Sequence, residues 1–145
     1  QLTNQVKILD DTYNANVGSV NAAIDLLSSF AGRKILVLGD MAELGGKARY
    51  YHEQVGEYAK QKGIDKLYTL GVLSQNASDI FAEHGRHFSG LEQMIEFINQ
   101  QTLSEACDIS ILVKGSRSAR MELVVKALEE SPLGKLERFR ERMAC

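Results

Sequence analysis

Short apolar runs alternate along this chain with stretches in which apolar residues recur at helical spacing, and this alternation narrows the possible folds most. Residues 34–38 form an almost uninterrupted apolar run that ends at Gly39, as is typical of a strand buried on both faces of a parallel sheet. Further strands are predicted at residues 6–9, 66–70, 86–88 and 109–113. Helical spacing separates them, as in the i, i+3, i+4, i+7 set Val20, Ala23, Ile24 and Leu27. Such alternation predicts an α/β fold with right-handed crossovers and a parallel sheet.

The last helical stretch and the segment after it mark the end of the predicted domain. Its apolar face comprises Met121, Val124, Val125 and Leu128. Pro132, the only proline of the chain, is expected to end this helix. We therefore assign residues 1–131 to one domain and expect residues 132–145 to form a charged tail or a short helix.

The composition suits a single globular domain and excludes several classes of protein. The chain has 145 residues, of which 44% are hydrophobic and 25% charged, so a buried core is expected. The net charge of −2 argues against nucleic-acid binding, and no apolar run approaches the roughly 18 residues of a membrane span. Cys107 and Cys145 form no motif, so free thiols in a reducing compartment are expected. Because the chain begins at Gln1, we expect it to be part of a longer protein.

Three polar segments follow predicted strands, where ligands of open parallel sheets bind. The first is Asp10-Asp11-Thr12-Tyr13-Asn14-Ala15-Asn16. Its carboxylates could accept ribose hydroxyls or hold a cation, and Tyr13 could stack on a base. The alternative is ordinary turn chemistry, in which Asn16 or Ser19 caps the following helix.

The second segment is Gly39-Asp40-Met41-Ala42-Glu43-Leu44-Gly45-Gly46. A glycine at the end of a strand permits close approach of a ligand, and Asp40 and Glu43 could bind an ammonium group or magnesium. A flexible loop with solvated acids is equally open as an interpretation.

The third segment, Lys114-Gly115-Ser116-Arg117-Ser118-Ala119-Arg120, is predicted to run from a buried strand directly into the start of a helix. Free N–H groups, a serine hydroxyl and the Arg117 guanidinium would then form an anion site for a carboxylate or a phosphate. The alternative is helix capping with charge on the surface.

Other familiar motifs are missing from the sequence. Neither G-x-G-x-x-G nor G-x-x-x-x-G-K-[ST] occurs, so the chain has no dinucleotide fingerprint and no P-loop. His52, His84 and His87 lack metal-ligand spacing. His84 and His87 are expected at the surface, and His52, just beyond the second segment, is expected to be packed or solvated.

The three segments, together with His52 and Gln54-Val55-Gly56-Glu57, resemble the C-terminal domain of the Mur ligase family in order and spacing over roughly residues 6–130. Val17 is a departure, because many members have proline there. The resemblance implies a Rossmann-like three-layer sandwich, with a mostly parallel sheet of five to six strands flanked by helices. An irregular or antiparallel edge strand would be typical.

The resemblance also implies an activity, that of an ATP-dependent, amide-bond-forming ligase of cytoplasmic peptidoglycan synthesis. The motif versions favour the member that joins D-alanyl-D-alanine to UDP-N-acetylmuramoyl-tripeptide through an acyl phosphate. In the family, an N-terminal domain holds the UDP-sugar, a central domain holds the P-loop and Mg2+, and the C-terminal domain closes over both. ATP and Mg2+ are thus expected in the longer enzyme, with none tightly bound here. The isolated chain is expected to be inactive, with no nucleic-acid or membrane partner.

The resemblance assigns roles to residues by their position in the matching motifs. The nucleotide would be bound by Asp11, Tyr13, Asn14 and Asn16. The D-alanyl-D-alanine dipeptide would be bound by Asp40, Glu43, Ser116 and Arg117. Catalytic positive charge would come from Lys114 and Arg117. No metal ligand is expected in this chain.

Three other interpretations stay open. A related Mur ligase that adds a different amino acid would share these motifs. A receiver-like phosphoacceptor domain also has paired acids and a late lysine, but its phosphoacceptor would stand at Leu70 or Gly71 and its lysine would precede proline. A non-catalytic Rossmann-like interaction module would leave all three segments without ligands.

Overall fold

The computed structural model describes residues 5–103 and 107–142, with side chains as far as residue 135. It contains six strands: β1 (Val6–Asp11), β2 (Arg33–Gly39), β3 (Lys66–Leu70), β4 (Gly85–Phe88), β5 (Ile109–Lys114) and β6 (Glu137–Arg142). They form one parallel sheet in the order β4-β3-β2-β5-β1-β6. The five predicted strands are all present, and the α/β fold with a parallel sheet is confirmed.

Two layers of helices cover the sheet. The helices are α1 (Val17–Ser28), α2 (Ala48–Gln61), α3 (Gln75–Phe81), α4 (Leu91–Thr102) and α5 (Glu122–Glu130). Apolar residues of α1, α2 and α3 pack in one core, and those of α4 and α5 pack in the other. The buried face of α1 consists of the four residues that the helical spacing predicted, Val20, Ala23, Ile24 and Leu27.

The central strands are apolar on both faces because each face meets a helical layer. Successive side chains of a strand point to opposite faces. In β2, Ile35 and Val37 therefore join the core of α4 and α5, whereas Leu36 and Leu38 join the core of α1 to α3. This arrangement explains the uninterrupted apolar runs in the sequence.

The structure differs from the sequence prediction after the last helix. Pro132–Leu136 form a 3-10 turn, and the following residues form β6 rather than a charged tail or a short helix. β6 is parallel to β1, and the register shifts between Val6 and Lys7, so this edge is irregular but not antiparallel. Charged residues are common in edge strands, where they discourage pairing with another chain. A charged run that suggested a solvated tail therefore also suits the edge of a sheet.

Candidate functional site

The three polar segments lie side by side at the carboxyl edge of the sheet, because β2, β5 and β1 are neighbours. From β1 and β2 the chain continues to α1 and α2 on one face, whereas from β5 it continues to α5 on the other. Adjacent strands with diverging connections open a crevice, which is the usual ligand position in open α/β sheets. The sequence-based expectation that each of the three segments follows a strand of a parallel sheet is confirmed.

A buried ion pair joins the last residues of β1 and β5. Asp11 and Lys114 are register partners, and Lys114 Nζ lies 3.1 Å from Asp11 Oδ2. Lys114 Nζ also donates a hydrogen bond to the main-chain oxygen of Asn14 at 2.8 Å. The Lys114 side chain is fully buried and that of Asp11 is 6% exposed. A lysine buried this deeply needs its charge balanced, and Asp11 provides that balance.

The first and third segments touch through an exposed aromatic ring. Tyr13 is 57% exposed, and the Cζ atom of Arg117 lies 5.1 Å from the centroid of its ring. This distance is within the range of a cation–π interaction. Asn14 is exposed beside them. Sequence reasoning missed the contact, since nothing in the local pattern links Tyr13 to Arg117.

Asn16 is the N-cap of α1. Its Oδ1 accepts a hydrogen bond from the Ser19 N–H at 2.8 Å, and its own N–H donates to Ser19 Oγ at 3.0 Å. This reciprocal capping box satisfies main-chain donors that the first turn of a helix leaves open. The capping interpretation of Asn16 is therefore confirmed, and its role toward a nucleotide stays a prediction.

The third segment does not run directly into a helix, as the sequence suggested. The residues Arg117–Ala119 form a 3-10 turn, and Arg120 adopts a left-handed φ of 54° before α5 begins at Glu122. Ser116 is buried, and its hydroxyl oxygen lies 3.1 Å from that of Ser118. The positive group that this segment places beside Tyr13 is thus the exposed Arg117 guanidinium rather than the N-terminus of α5. Arg120 is also exposed, and its Nε lies 3.8 Å from Glu122 Oε2.

Two glycines at strand ends make room for a methionine rather than for a ligand. A Cβ atom on Gly39 would lie 2.5 Å from Met121 Sδ, and one on Gly115 would lie 2.5 Å from Met121 Cγ. Met121 itself is only 1% exposed. The interpretation of Gly39 as a point of close ligand approach is corrected accordingly, because the side chain of Met121 fills the space between the ends of β2 and β5.

Asp40 fastens the second segment to its neighbours. Its Oδ1 accepts from the Ser74 N–H at 2.7 Å, its Oδ2 accepts from the Val72 N–H at 3.2 Å, and its main-chain oxygen accepts from the Ser116 N–H at 3.0 Å. Gly71, with φ at 129°, leaves space for this carboxylate. Burial raises the pKa of the Asp40 carboxyl, but the hydrogen bonds it accepts outweigh burial, and its pKa falls below the ordinary value.

His52 is fully buried and connects Met41, near the start of the second segment, with Ala48 at the start of α2. Its Nε2 accepts from the Met41 N–H at 2.9 Å, so Nδ1 carries the proton and donates to the Ala48 main-chain oxygen at 2.7 Å. Between these anchors, Glu43 is exposed and has a φ of 61°, which is uncommon for a residue other than glycine. The packed interpretation of His52 is confirmed, and Glu43 is displayed on a loop held at both ends.

Two negative findings apply to the part of the chain that the structure describes. Over residues 5–103 and 107–142, no group of three or more His, Cys, Asp or Glu side chains is placed to hold a metal ion. Across the same ranges, none of the helices is both long and apolar enough to cross a membrane.

His84 is exposed and His87 is half-buried, with its Nδ1 2.8 Å from Thr69 Oγ1.

Comparisons with known proteins identify relatives over most of the chain. The family described as "Mur ligase, glutamate ligase domain" matches residues 1–135. The UDP-N-acetylmuramoyl-tripeptide–D-alanyl-D-alanine ligase of Escherichia coli is 46% identical over 131 residues, which are 90% of this chain and 28% of that protein. The ligase of the same name from Buchnera aphidicola of Acyrthosiphon pisum is 43% identical, over 83% of this chain and 26% of that protein. The chain therefore spans only 26% to 28% of the length of these relatives.

Solved structures with the same fold carry a related name. A crystal structure of MurF from Acinetobacter baumannii superposes with a TM-score of 0.75 at 30% identity, over 83% of this chain and 26% of that one. A crystal structure of the MurF ligase from Thermotoga maritima in complex with ADP gives the same TM-score at 29% identity. It covers 93% of this chain and 30% of that one.

Proposed function

This chain belongs to the Mur ligase family, and on that premise we propose that it is the C-terminal domain of the ligase that adds D-alanyl-D-alanine to UDP-N-acetylmuramoyl-tripeptide. The full reaction would start with transfer of the ATP γ-phosphoryl group to the carboxylate of the tripeptide. The amine of the dipeptide would then attack the acyl phosphate, and phosphate would leave. Relatives of that name at 46% and 43% identity support this choice over a family member that adds another amino acid.

The observation that carries the proposal is the meeting of Tyr13 and Arg117 at the crevice beside β1 and β5. An exposed phenol ring offers a stacking surface for a nucleotide base. The guanidinium next to it matches the geometry of a phosphate or carboxylate group, which it can bind through two N–H donors. A base and an anionic group could therefore be bound side by side at one edge of the sheet.

The remaining residues of the first segment complete the nucleotide side of this proposal. Asp11 would accept the ribose hydroxyls through its carboxylate while it stays paired with Lys114. Asn14 and Asn16 would flank the base. Because Asn16 Oδ1 is used in capping α1, its amide nitrogen is the group that would donate to the nucleotide.

The dipeptide would be bound by groups of the second and third segments. Glu43, exposed on its loop, would pair with the ammonium group, and Arg117 and the Ser116 hydroxyl would bind the carboxylate. Both carboxylate oxygens of Asp40 already accept main-chain hydrogen bonds, so Asp40 would act through its charge and the shape of the loop. Arg117 would also stabilise negative charge that develops at the acyl phosphate.

The cofactors and the other substrate would need the rest of the longer protein. ATP supplies the phosphoryl group, and the ADP complex of the Thermotoga maritima relative supports a nucleotide site in this family. We propose that the P-loop, Mg2+ and the UDP-linked tripeptide belong to the N-terminal and central domains of a cytoplasmic enzyme. Closure of this domain over them would bring Arg117 to the reacting groups and exclude water from the acyl phosphate.

An NMR titration of the 145-residue chain tests the proposal directly. With D-alanyl-D-alanine, we expect saturable amide shifts at residues 39–46 and 114–120. With a magnesium–ATP analogue, we expect them at residues 10–16. L-alanyl-L-alanine and D-glutamate serve as matched controls and should leave the second and third segments unchanged.

Other outcomes of this titration would point elsewhere. A response to D-glutamate rather than to the dipeptide would favour a different member of the family. Unchanged spectra with both ligands at millimolar concentration would count against binding by this domain alone. Shifts at Asp10 and Asp11 with beryllofluoride, and with neither substrate, would favour a receiver-like phosphoacceptor.

A further inference from the structure

Lys114 is one of the largest fully buried side chains of the domain, although its motif predicts a catalytic cation. We infer that Lys114 is a positioning residue, which holds the nucleotide-facing segment from inside through Asp11 and Asn14 and meets no substrate phosphate. This inference deepens the proposed function and rests on it for the identity of the ligand. Arg117 then remains as the catalytic cation of the third segment.

The position of Lys114 follows from the pleat of the sheet. Side chains two residues apart in a strand point to the same face. Lys114 is two residues beyond Leu112, and Asp11 is two residues beyond Leu9, and both leucines pack in the core of α1, α2 and α3. Since Asp11 and Lys114 are also register partners, they must meet on this face at the last rung of the sheet.

Burial separates Lys114 from a ligand at the edge of the sheet. To reach a phosphate, its ammonium group would have to leave both Asp11 and the main-chain oxygen of Asn14. Asp11, itself 6% exposed, would then lose its counter-charge in a buried position, which is strongly unfavourable. The exposed Arg117 can meet an anion without any such loss.

Two fixed points three residues apart define the geometry of the turn that displays Tyr13. Lys114 binds Asp11 at one side and Asn14 at the other, and the hydroxyl of Thr12 donates to Asp10 Oδ1 at 2.7 Å. Tyr13 is thereby held with its ring outward and against Arg117. A turn that is ordered before binding loses less conformational entropy when a nucleotide arrives, which favours affinity.

The first test uses the unaltered chain, with its lysine and arginine side chains labelled with 15N. We expect the Nζ resonance of Lys114 to be protected from exchange and nearly unchanged when ADP or inorganic phosphate is added. The Arg117 Nε–H resonance should move with both. A phosphate-induced shift at Lys114 Nζ as large as that at Arg117 would overturn the inference.

The second test compares Lys114→Met with Lys126→Met, which removes an exposed lysine of α5. In Lys114→Met, the amides of residues 11–14 should shift and ADP affinity should fall about tenfold or more, while the response of Arg117 to phosphate stays within about twofold. Lys126→Met should match the unaltered chain in all three readouts. An unchanged ADP affinity in Lys114→Met, or a loss confined to phosphate binding, would refute positioning.

The two tests also separate this inference from the proposed function. If the unaltered chain binds no ADP, the proposed nucleotide site fails, and shifts of residues 11–14 in Lys114→Met still report whether Lys114 positions them. If Lys114→Met does not fold, Lys114→Arg takes its place, and the charge that it retains should restore ADP affinity in part. The Nζ measurement needs no variant, so it still tests the inference if neither variant folds.

Discussion

Asp40 and His52 hold the second segment in place by hydrogen bonds to main-chain groups. Asp40 accepts from the N–H groups of Val72 and Ser74, and His52 accepts from that of Met41. Loss of either side chain would leave main-chain donors without their acceptors, which costs more than the net contribution of an ordinary hydrogen bond. Single residues therefore determine where Glu43 and Ser116 lie at the edge of the sheet.

The lowered pKa of Asp40 predicts a share of the pH dependence of stability. Because its folded pKa lies below the unfolded value of about 3.9, Asp40 contributes stability above that pH, and this contribution is lost as pH falls through the folded pKa. In Asp40→Asn, the free energy of unfolding should be lower at neutral pH and should change less between about pH 5 and pH 2. Urea unfolding at several pH values across this range measures the free energy of unfolding of both chains.

Asp79→Asn is the matched control for this experiment, since Asp79 is an exposed acid of α3. It should follow the unaltered chain over the whole pH range. Parallel pH profiles for Asp40→Asn and the unaltered chain would show that the Asp40 carboxylate contributes no such stability.

Although His52 lies outside the crevice, its two hydrogen bonds predict a large contribution to the free energy of unfolding. His52→Ala leaves the buried Met41 N–H without an acceptor, removes the side-chain donor to the Ala48 oxygen and opens a cavity, so the free energy of unfolding should fall by about 3 kcal/mol. His52→Gln, whose side-chain oxygen can accept a hydrogen bond from the Met41 N–H, should recover part of the lost stability. Chemical denaturation provides the measurement, with His84→Ala expected within about 0.5 kcal/mol of the unaltered chain. Equal stability of the His52→Ala and His84→Ala chains would show that the hydrogen bonds of His52 do not stabilise the fold.

At the scale of elements, local periodicity predicts the first five strands and their helices, because residues that face a core recur with the period of their element. β6 lacks that pattern, and its place beside β1 depends on tertiary pairing. The same limit applies to the site. The three segments are recognisable because polar residues follow apolar strands, but the pairing of Lys114 with Asp11 depends on which strands are neighbours. The 3-10 turn Arg117–Ala119 likewise has no periodic signal of its own.

Where β2 and β5 end, Gly39 makes room for the side chain of Met121, so we expect substitutions of these two residues to be coupled in their effect on stability. Gly39→Ala would place a Cβ atom against Met121 and should cost about 1 to 3 kcal/mol, and Met121→Ala should cost about 2 to 5 kcal/mol. The double variant should lose less than the sum of the two, because the added methyl enters the vacated space. Urea denaturation of the four proteins gives the coupling energy. Gly46→Ala, with open space around it, is the control, and strict additivity would show that the two residues do not interact.

At the scale of the whole molecule, the chain should have no ligase activity by itself. It contains no P-loop motif and spans about 28% of the length of the Escherichia coli ligase. With ATP, D-alanyl-D-alanine and UDP-N-acetylmuramoyl-tripeptide, we expect no release of phosphate above the buffer level. A full-length ligase assayed beside it is the positive control, and ATP-dependent ligation by the 145-residue chain would refute this expectation.

The sixth strand affects whether copies of this chain associate with one another. β6 lies outside β1, so β1, which ends at Asp11, is an interior strand. A chain truncated after residue 136 would expose the N–H and C=O groups of β1 as an open edge, which another copy could extend as a template. We expect this truncated chain to self-associate in sedimentation experiments more than the 145-residue chain does. The stretch just beyond the family match, which ends at residue 135, would thus protect the strand that carries the nucleotide-facing segment from aggregation.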